Sequence, residues 1–151
     1  MKNNHINIRD YGRGIPLGKV EDCVSKINTG AKYDTKVFQK TVGLNGVGSK
    51  AVNALSEFFK IQSIRDGKTL ILTYSKGNLI EKGDITLSSL RTGTKTSFTP
   101  DTKIFNKFKF SNEYIETRIY NYVFLNSGLS IYFNKKKYYS KNGLKDLLIK
   151  N

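Results

Sequence analysis

The sequence contains one cysteine, Cys23, and no long apolar run. A single cysteine excludes a disulfide framework and any metal site built from several cysteines. Because Cys23 lies among apolar neighbours at helical spacing, we expect a buried, unreactive thiol. No apolar stretch approaches the roughly 20 residues needed to span a bilayer. The polar start shows no signal peptide, so no membrane association and a cytoplasmic location are expected.

Acidic residues are scarce, since twelve stand against 26 basic residues and leave a formal net charge of +14. Such an imbalance favours attraction to a polyanion such as a nucleic acid. However, only five of the basic residues are arginines, the type that base reading and bidentate phosphate binding favour. A lysine-rich bias is also expected of a chain encoded by AT-rich DNA. The net charge alone therefore leaves contact with DNA open. The lysine run at 135–137 is interpreted as a solvated turn between two strands.

The first 60 residues predict short elements separated by loops, in a chain long enough for one domain with a buried core. Residues 5–10 alternate with period two, which indicates a strand. Apolar residues from Val20 to Ile27 recur at helical spacing and predict an amphipathic helix. A second helix is predicted after the glycine-rich turn at 43–48, with Phe59 on its apolar face.

From residue 61 onward the pattern is mainly that of strands. Asp66-Gly67 is a strong hairpin signal between apolar runs at 61–65 and 69–74. The later elements are predicted as strands at 79–82, 84–90 and 94–99, a helix capped by Ser111 or Asn112, a strand at 129–133 and a last short helix. This order favours an α+β architecture with helices on one face of the sheet.

Two glycine clusters lie where regular elements meet. In Asp-Tyr-Gly-Arg-Gly-Ile-Pro, at 10–16, Asp10 can accept a hydrogen bond from an exocyclic amine such as that of adenine. The glycines of this cluster let the backbone lie close to a flat ligand, although an ordinary tight turn is the alternative. Gly-Leu-Asn-Gly-Val-Gly, at 43–48, leads into a helix whose backbone N–H groups offer a phosphate site.

Two familiar phosphate motifs are excluded. A P-loop requires lysine before serine or threonine after its last glycine, whereas Ser49 precedes Lys50 here. The dinucleotide fingerprint fails because Gly12 and Gly14 are followed by Pro16 and Leu17 instead of the third glycine.

Taken together, the two clusters resemble the gyrase, chaperone, histidine-kinase and mismatch-repair ATPase superfamily. Within it the sequence is similar to the B subunits of bacterial DNA gyrase and topoisomerase IV, with a weak preference for topoisomerase IV. The resemblance covers essentially the whole chain and is carried by residues 10–16, by 43–56, which ends in Val-Asn-Ala-Leu-Ser, and by 92–101, Thr-Gly-Thr-Lys-Thr-Ser-Phe-Thr-Pro-Asp.

This resemblance implies a two-layer sandwich in which a mixed, mostly antiparallel sheet carries helices on one face and the family's first helix is missing. It implies one partial ATP-binding domain over 1–151, with nucleotide-binding loops and helices in 1–60 and the sheet and closing helices in 61–151. The family's transducer and DNA-cleavage domains are expected to lie outside this sequence.

The resemblance also implies individual roles. Asp10 matches the residue that binds the adenine amino group directly and through a water, and Thr94 the residue that supports this water. Two positions depart from the family, since Tyr11 and Asn45 stand where asparagine and histidine are frequent. The implied nucleotide-binding set is Asp10, Gly12, Arg13, Gly14, Pro16, Lys32, Gly43, Leu44, Asn45, Gly46, Val47, Gly48 and Thr94. Solvated or plain strand residues are the alternatives for Lys32 and Thr94.

No catalytic residue and no metal ligand are expected within these 151 residues. The family's general-base glutamate and magnesium-binding asparagine precede the strand that ends at Asp10, and no glutamate occurs before Glu21. Glu21, Asp22 and Asp34 are best explained as solvated side chains. We therefore expect slow ATP turnover by this chain alone, because loss of a positioned base costs on the order of 10²–10⁴ in rate.

The function implied by the resemblance is that of an ATP-dependent type IIA DNA topoisomerase. Such a protein binds ATP with Mg²⁺ and couples hydrolysis to the passage of one DNA duplex through another. Its implied partners are DNA, the A subunit in an A2B2 assembly, and a second copy bound through segments outside this sequence. Two alternatives stay open: a basic nucleic-acid-binding module without a nucleotide pocket, and a gene fragment without ATPase turnover.

Overall fold

The computed structural model describes residues 4–26 and 47–150. The chain divides into two compact units, Met1–Phe108 and Lys109–Asn151. Within the described residues, no helix is long and apolar enough to cross a membrane.

The first unit contains a sheet with short helices. Its elements are strands β1 (Ile6–Arg9), β2 (Ser56–Arg65), β3 (Lys68–Ser75), β4 (Asn78–Lys82), β5 (Thr86–Leu87) and β6 (Gly93–Pro100), and helices α1 (Val20–Ser25), α2 (Gly48–Ala54) and α3 (Thr102–Phe105), with a 3-10 turn at Leu17–Lys19. The strand order is β1-β6-β2-β3-β4, with β5 beside β3. All of these described pairings are antiparallel.

The β2–β3 hairpin confirms the prediction made from Asp66-Gly67. Both turn residues have positive φ, 52° and 70°, and Arg65 pairs with Lys68 across the turn. A two-residue turn with both φ values positive matches the right-handed twist of the flanking strands. The turn therefore sets the register of the two longest neighbouring strands.

The core of the first unit lies on one face of the sheet. Alternate residues of β2 and β3 point to this face, where α1 covers them. The buried cluster consists of Val20, Val24, Phe59, Ile61, Leu70, Leu72 and Tyr74, with Ile15, Leu17, Cys23, Val52 and Phe98 packed against it. Full burial of each such aliphatic side chain contributes about 1.5–3 kcal/mol. Cys23 is partly buried, not fully buried as predicted, and this burial raises the pKa of its thiol, which agrees with an unreactive cysteine.

The predicted second helix ends earlier than expected. Helix α2 stops at Ala54, and β2 begins at Ser56. Phe59 is therefore a buried strand residue opposite Tyr74, and its placement on a helix was wrong. The physical reason is that Phe59 and Ile61 alternate with exposed Lys60, so the period of two prevails from this point.

The link between β4 and β6 differs from the prediction as well. The strand expected at 84–90 is reduced to the two residues of β5.

Helix α3, which follows β6, was not predicted. Asp101 caps α3, because its carboxylate accepts a hydrogen bond from the backbone N–H of Lys103 at 3.0 Å. It also pairs with Lys76 at 2.8 Å. The ammonium of Lys76 lowers the pKa of this buried carboxyl group.

The second unit consists of α4 (Asn112–Leu125), a hairpin of β7 (Ser130–Phe133) and β8 (Lys136–Tyr139), and α5 (Leu144–Lys150). Ser111 caps α4 by accepting a hydrogen bond from the backbone N–H of Tyr114 at 3.2 Å, which settles the choice between Ser111 and Asn112. The lysine run at 135–137 forms the predicted turn only in part, because it extends into the second strand. Lys135 belongs to the turn, and Lys136 and Lys137 begin β8.

Candidate functional site

Asp10 and Thr94 lie side by side at the end of the sheet. The backbone N–H of Asp10 donates a hydrogen bond to the carbonyl oxygen of Thr94 at 2.9 Å. Thr94 in turn pairs with Ser63 on β2. Since directly opposed residues share a face, Asp10, Thr94 and Ser63 form a polar row on the same face as the core. Two residues that the sequence associated with adenine are thus brought together by distant strands.

The Asp10 carboxylate is partly engaged and partly available. Its Oδ1 atom accepts a hydrogen bond from the backbone N–H of Gly12 at 2.9 Å, which holds the start of the loop at 10–16. Its Oδ2 atom has no hydrogen-bond partner among residues 4–26 and 47–150, and the side chain is exposed. A carboxylate held in this way can accept a hydrogen bond from the amine of a ligand.

Two glycines allow close backbone contacts around Asp10. Gly93 has a φ of 137°, and a Cβ at this position would lie 2.1 Å from the carbonyl oxygen of Asp10. Gly14 has a φ of 67°, and its Cβ would lie 2.4 Å from the carbonyl oxygen of Ile64. Because no side chain fits at either position, the approach of the loop to β2 and of Asp10 to β6 requires glycine.

An apolar surface adjoins the polar row. Ile8 pairs with Thr96, which pairs with Ile61, so these three residues form the next row on the same face. Ile8 is 55% exposed, although it points to the core side of the sheet. An uncovered aliphatic side chain beside Asp10 offers a flat base a surface to pack on. Ile8 was not predicted as a site residue. The period of two at residues 5–10 nevertheless places it on the same face as Asp10.

Tyr11 lies between two arginines. The guanidinium carbons of Arg9 and Arg91 lie 5.0 Å and 4.7 Å from the centre of its ring, and Arg9 also donates a hydrogen bond to the carbonyl oxygen of Arg91. These contacts tie the loop at 10–16 to the segment before β6. Neither arginine was singled out from the sequence, because their convergence depends on the pairing of β1 with β6.

Arg65 is a further residue that sequence reasoning missed. Its Nη1 donates a hydrogen bond to the carbonyl oxygen of Gly14 at 3.2 Å. It also lines a shallow cavity of about 470 Å³ together with Pro16 and the β2–β3 turn. Arg13 is exposed on the same loop. The hairpin signal identified the turn but not the contact that its arginine makes with the loop.

The remaining predicted residues are only partly described. Lys32, Gly43, Leu44, Asn45 and Gly46 lie outside the described residues. Val47 and Gly48 stand at the start of α2, where Val47 is 45% exposed. The phosphate-binding role of this cluster stays a prediction.

Adenine is the part of a nucleotide that the described residues of this site fit. The Oδ2 atom of Asp10, which none of the described residues engages, and the exposed Ile8 fit an amine-bearing base. Within the described residues, no group of three His, Cys, Asp or Glu side chains could hold a metal ion.

Comparison with known proteins identifies relatives of the chain, although no protein-family profile matches it. The sequence is 53% identical over 147 residues to the B subunit of DNA topoisomerase 4 from Borreliella burgdorferi, a match that covers 97% of this chain and 24% of the relative. It is 32% identical to the B subunit of DNA gyrase from the same organism, over 96% of this chain and 25% of that relative. The chain thus spans about a quarter of the length of these relatives.

Two solved structures share the fold. The ATPase domain of Thermus thermophilus gyrase B in complex with an aminocoumarin superposes with a TM-score of 0.79 at 23% identity, over 99% of this chain and 41% of that one. The topoisomerase IV ATP-binding domain of Francisella tularensis, in complex with a small-molecule inhibitor, gives a TM-score of 0.77 at 25% identity, over 99% and 44%. The predicted α+β fold of this ATPase superfamily is confirmed. The chain belongs to the B subunits of the bacterial type II DNA topoisomerases and corresponds to part of their ATPase domain.

Proposed function

We propose that the chain binds ATP through the row formed by Asp10 and Thr94, as part of a type II DNA topoisomerase. The observation that carries this proposal is the Asp10 carboxylate, which is held by Gly12 on one oxygen and offers the other beside the exposed Ile8. Adenine presents an exocyclic amine that such an oxygen accepts, and a flat face that packs on an aliphatic side chain. Guanine presents a carbonyl oxygen at the same position, and this acceptor would be repelled by the carboxylate oxygen.

The activity of the whole protein is part of the proposal. We infer that it couples ATP hydrolysis to the passage of one DNA duplex through another, with DNA and an A subunit as partners and Mg²⁺ as the metal on the phosphates. Topoisomerase IV is the better assignment than gyrase, because identity to the topoisomerase 4 relative of Borreliella burgdorferi is 53% against 32% for the gyrase relative of the same organism. A cytoplasmic location stays a prediction.

Calorimetric titration of the 151-residue chain with ATP and with GTP tests the adenine assignment. We expect ATP to bind more tightly than GTP, and Asp10→Asn to reduce this preference on the order of 10²-fold. Loss of the matching group leaves a donor or acceptor unpaired in the complex, which costs about 1–3 kcal/mol and so up to roughly 10²-fold in affinity. Asp84→Asn is the matched control, since Asp84 is an exposed aspartate between β4 and β5.

The titration, together with a DNA-binding measurement and thermal unfolding, separates the proposed function from its rivals. A chain that binds DNA but shows no heat with ATP would support the basic nucleic-acid-binding module. A chain without a cooperative thermal transition would support the gene fragment. Equal loss of ATP binding in Asp10→Asn and Asp84→Asn would contradict the role assigned to Asp10.

A further inference from the structure

The β7–β8 hairpin of the second unit has one face that packs inward and one face that is exposed. Ile131 pairs with Tyr138, and Phe133 with Lys136, on the face that packs inward. Ser130 pairs with Tyr139, and Tyr132 with Lys137, on the opposite face. Tyr132 is 67% and Tyr139 48% exposed. The outward face thus combines two exposed aromatic rings with a lysine.

The inward face holds the hairpin firmly on α4. Tyr138 is 2% exposed, and its ring meets that of Tyr120 edge to face at a centroid distance of 5.0 Å. Lys136 pairs with Glu116 at 3.0 Å, and this carboxylate raises the pKa of Lys136. The outward face therefore makes little contribution to the core of this unit and is presented on a well-anchored ribbon.

The turn of the hairpin directs a further lysine outward. Asn134 and Lys135 have φ values of 47° and 70°, as in the two-residue turns that suit the twist of a hairpin. Lys135 is exposed at the turn, and Lys141 is exposed just beyond β8. Lys137 extends over the ring of Tyr139 at 5.1 Å. We define Tyr132, Lys135, Lys137, Tyr139 and Lys141 as the hairpin surface.

The positive charge of this surface is not neutralised from within the second unit. The unit contains eight basic and three acidic residues. Glu116 pairs with Lys136, and Asp146 accepts hydrogen bonds from Ser140 and Asn142. In the part of the chain that the structure describes, Lys135, Lys137 and Lys141 take part in no ion pair. An anionic partner would meet three exposed cations.

We propose that the hairpin surface binds the phosphate backbone of duplex DNA. Lysine ammonium groups neutralise phosphates without reading bases, and tyrosine hydroxyls donate hydrogen bonds to phosphate oxygens. All three cations of the hairpin surface are lysines, which act as point charges on phosphates, and none is an arginine, the side chain that most often recognises base edges. It therefore predicts contact independent of sequence. The choice of DNA among polyanions rests on the proposed function, whereas the charge and anchoring of the surface do not.

Fluorescence anisotropy with a short labelled duplex of mixed sequence, titrated between about 50 and 200 mM salt, tests the proposal. The variant is Lys135→Gln/Lys137→Gln/Lys141→Gln. The matched control is Lys60→Gln/Lys103→Gln/Lys107→Gln, which removes three exposed lysines of the first unit. Each lost phosphate contact flattens the slope of log K against log salt by about 0.9, so we expect a change of about 2.7 for the hairpin variant. The control is expected to keep most of the original slope.

A second measurement avoids substitutions altogether. Lysine acetylation of the unaltered chain, read by mass spectrometry with and without the duplex, should show protection of Lys135, Lys137 and Lys141 relative to Lys60 and Lys107. Calorimetric ATP titration of the hairpin variant reports on the nucleotide site alone. Failure of the DNA-binding proposal can therefore be distinguished from failure of the ATP-binding proposal.

Three outcomes would overturn the assignment of duplex DNA to the hairpin surface. The first is an equal loss of slope in variant and control, which would reveal general attraction by net charge. The second is tighter binding of the corresponding single strand, with most of the loss in Tyr132→Ala/Tyr139→Ala, which would indicate base stacking instead. The third is unchanged acetylation of Lys135, Lys137 and Lys141 at saturating duplex.

Discussion

The carbonyl oxygen of Thr94 accepts a hydrogen bond from the backbone N–H of Asp10 at 2.9 Å, and this contact joins the end of β1 to β6. It places the Thr94 side chain on the same face as the Asp10 carboxylate. The backbone bond survives any substitution of Thr94, so the role of its hydroxyl group can be tested without disturbing the position of Asp10.

Thr94→Val is therefore expected to weaken ATP binding about three- to tenfold, the range that the loss of one ordinary hydrogen bond produces. Thr94→Ser keeps the hydroxyl and should bind ATP nearly as the unaltered chain does. Calorimetric titration measures both. Equal affinities of the valine variant and the unaltered chain would show that Thr94 is only a β-branched strand residue.

Gly14→Ala should destabilise the first unit more than Gly67→Ala. The two glycines share almost the same backbone conformation, with φ of 67° and 70°, so the cost of a left-handed residue, about 1–2 kcal/mol, is common to both. Only at Gly14 would the new Cβ meet another atom, the carbonyl oxygen of Ile64 at 2.4 Å. We expect an additional loss of about 1–3 kcal/mol in the free energy of unfolding.

Urea unfolding of the two alanine variants gives this difference directly. Because Gly67→Ala carries the same conformational cost, it isolates the effect of the steric contact. Equal losses in both variants would mean that the loop at 10–16 does not lie against β2 as described.

Tyr11→Leu should lower the free energy of unfolding by about 1 kcal/mol, since two exposed cation–π contacts contribute about 0.5–1 kcal/mol each. Tyr11→Phe keeps the ring face that Arg9 and Arg91 contact and should be neutral. Tyr132→Leu is the control, an exposed tyrosine for which the described residues show no cation over the ring. Thermal unfolding followed by calorimetry distinguishes the three variants. A Phe variant as unstable as the Leu variant would assign the effect to the hydroxyl group.

Asp146 should make the chain sensitive to acid. Its carboxylate accepts hydrogen bonds from Asn142 and Ser140, which lower its pKa to about 2. Because the pKa is lower in the folded state than the ordinary value of about 3.9, the stabilisation is complete above that value and is lost as the pH falls towards 2. Asp146→Asn should therefore show a smaller decrease in Tm between pH 5 and pH 2.5 than the unaltered chain. An identical decrease in both proteins would contradict the role of this group.

Local signals in the sequence were sufficient for the elements that local chemistry determines. The Asp66-Gly67 turn was predicted, and Ser111 was one of the two caps predicted for α4, because each feature depends on a few adjacent residues. The boundary between α2 and β2 was missed because apolar residues up to Phe59 satisfy a helical spacing, while burial against Tyr74 comes from the neighbouring strand. Helix α3 escaped because a four-residue helix held by the Asp101 cap has almost no periodicity.

The candidate site shows the same division between residues that a local motif identifies and residues that only strand pairing brings together. Asp10 was identified by its position at a strand end beside glycines, and Thr94 by resemblance to a family. Arg9, Arg65 and Arg91 were not identified, because none of them lies in a motif and each reaches the loop only through strand pairing. Ile8 could have been found, since it precedes Asp10 by two residues on a strand of period two.

The order of the strands has a consequence for synthesis of the protein. Among the described strands, β1 pairs only with β6, although β6 is the last strand of its unit to be made. While the chain is being translated, β1 must wait without a neighbour until Pro100 has left the ribosome. Only then can Asp10 and Thr94 meet, so the proposed adenine site is completed only after the last strand of this unit has been made.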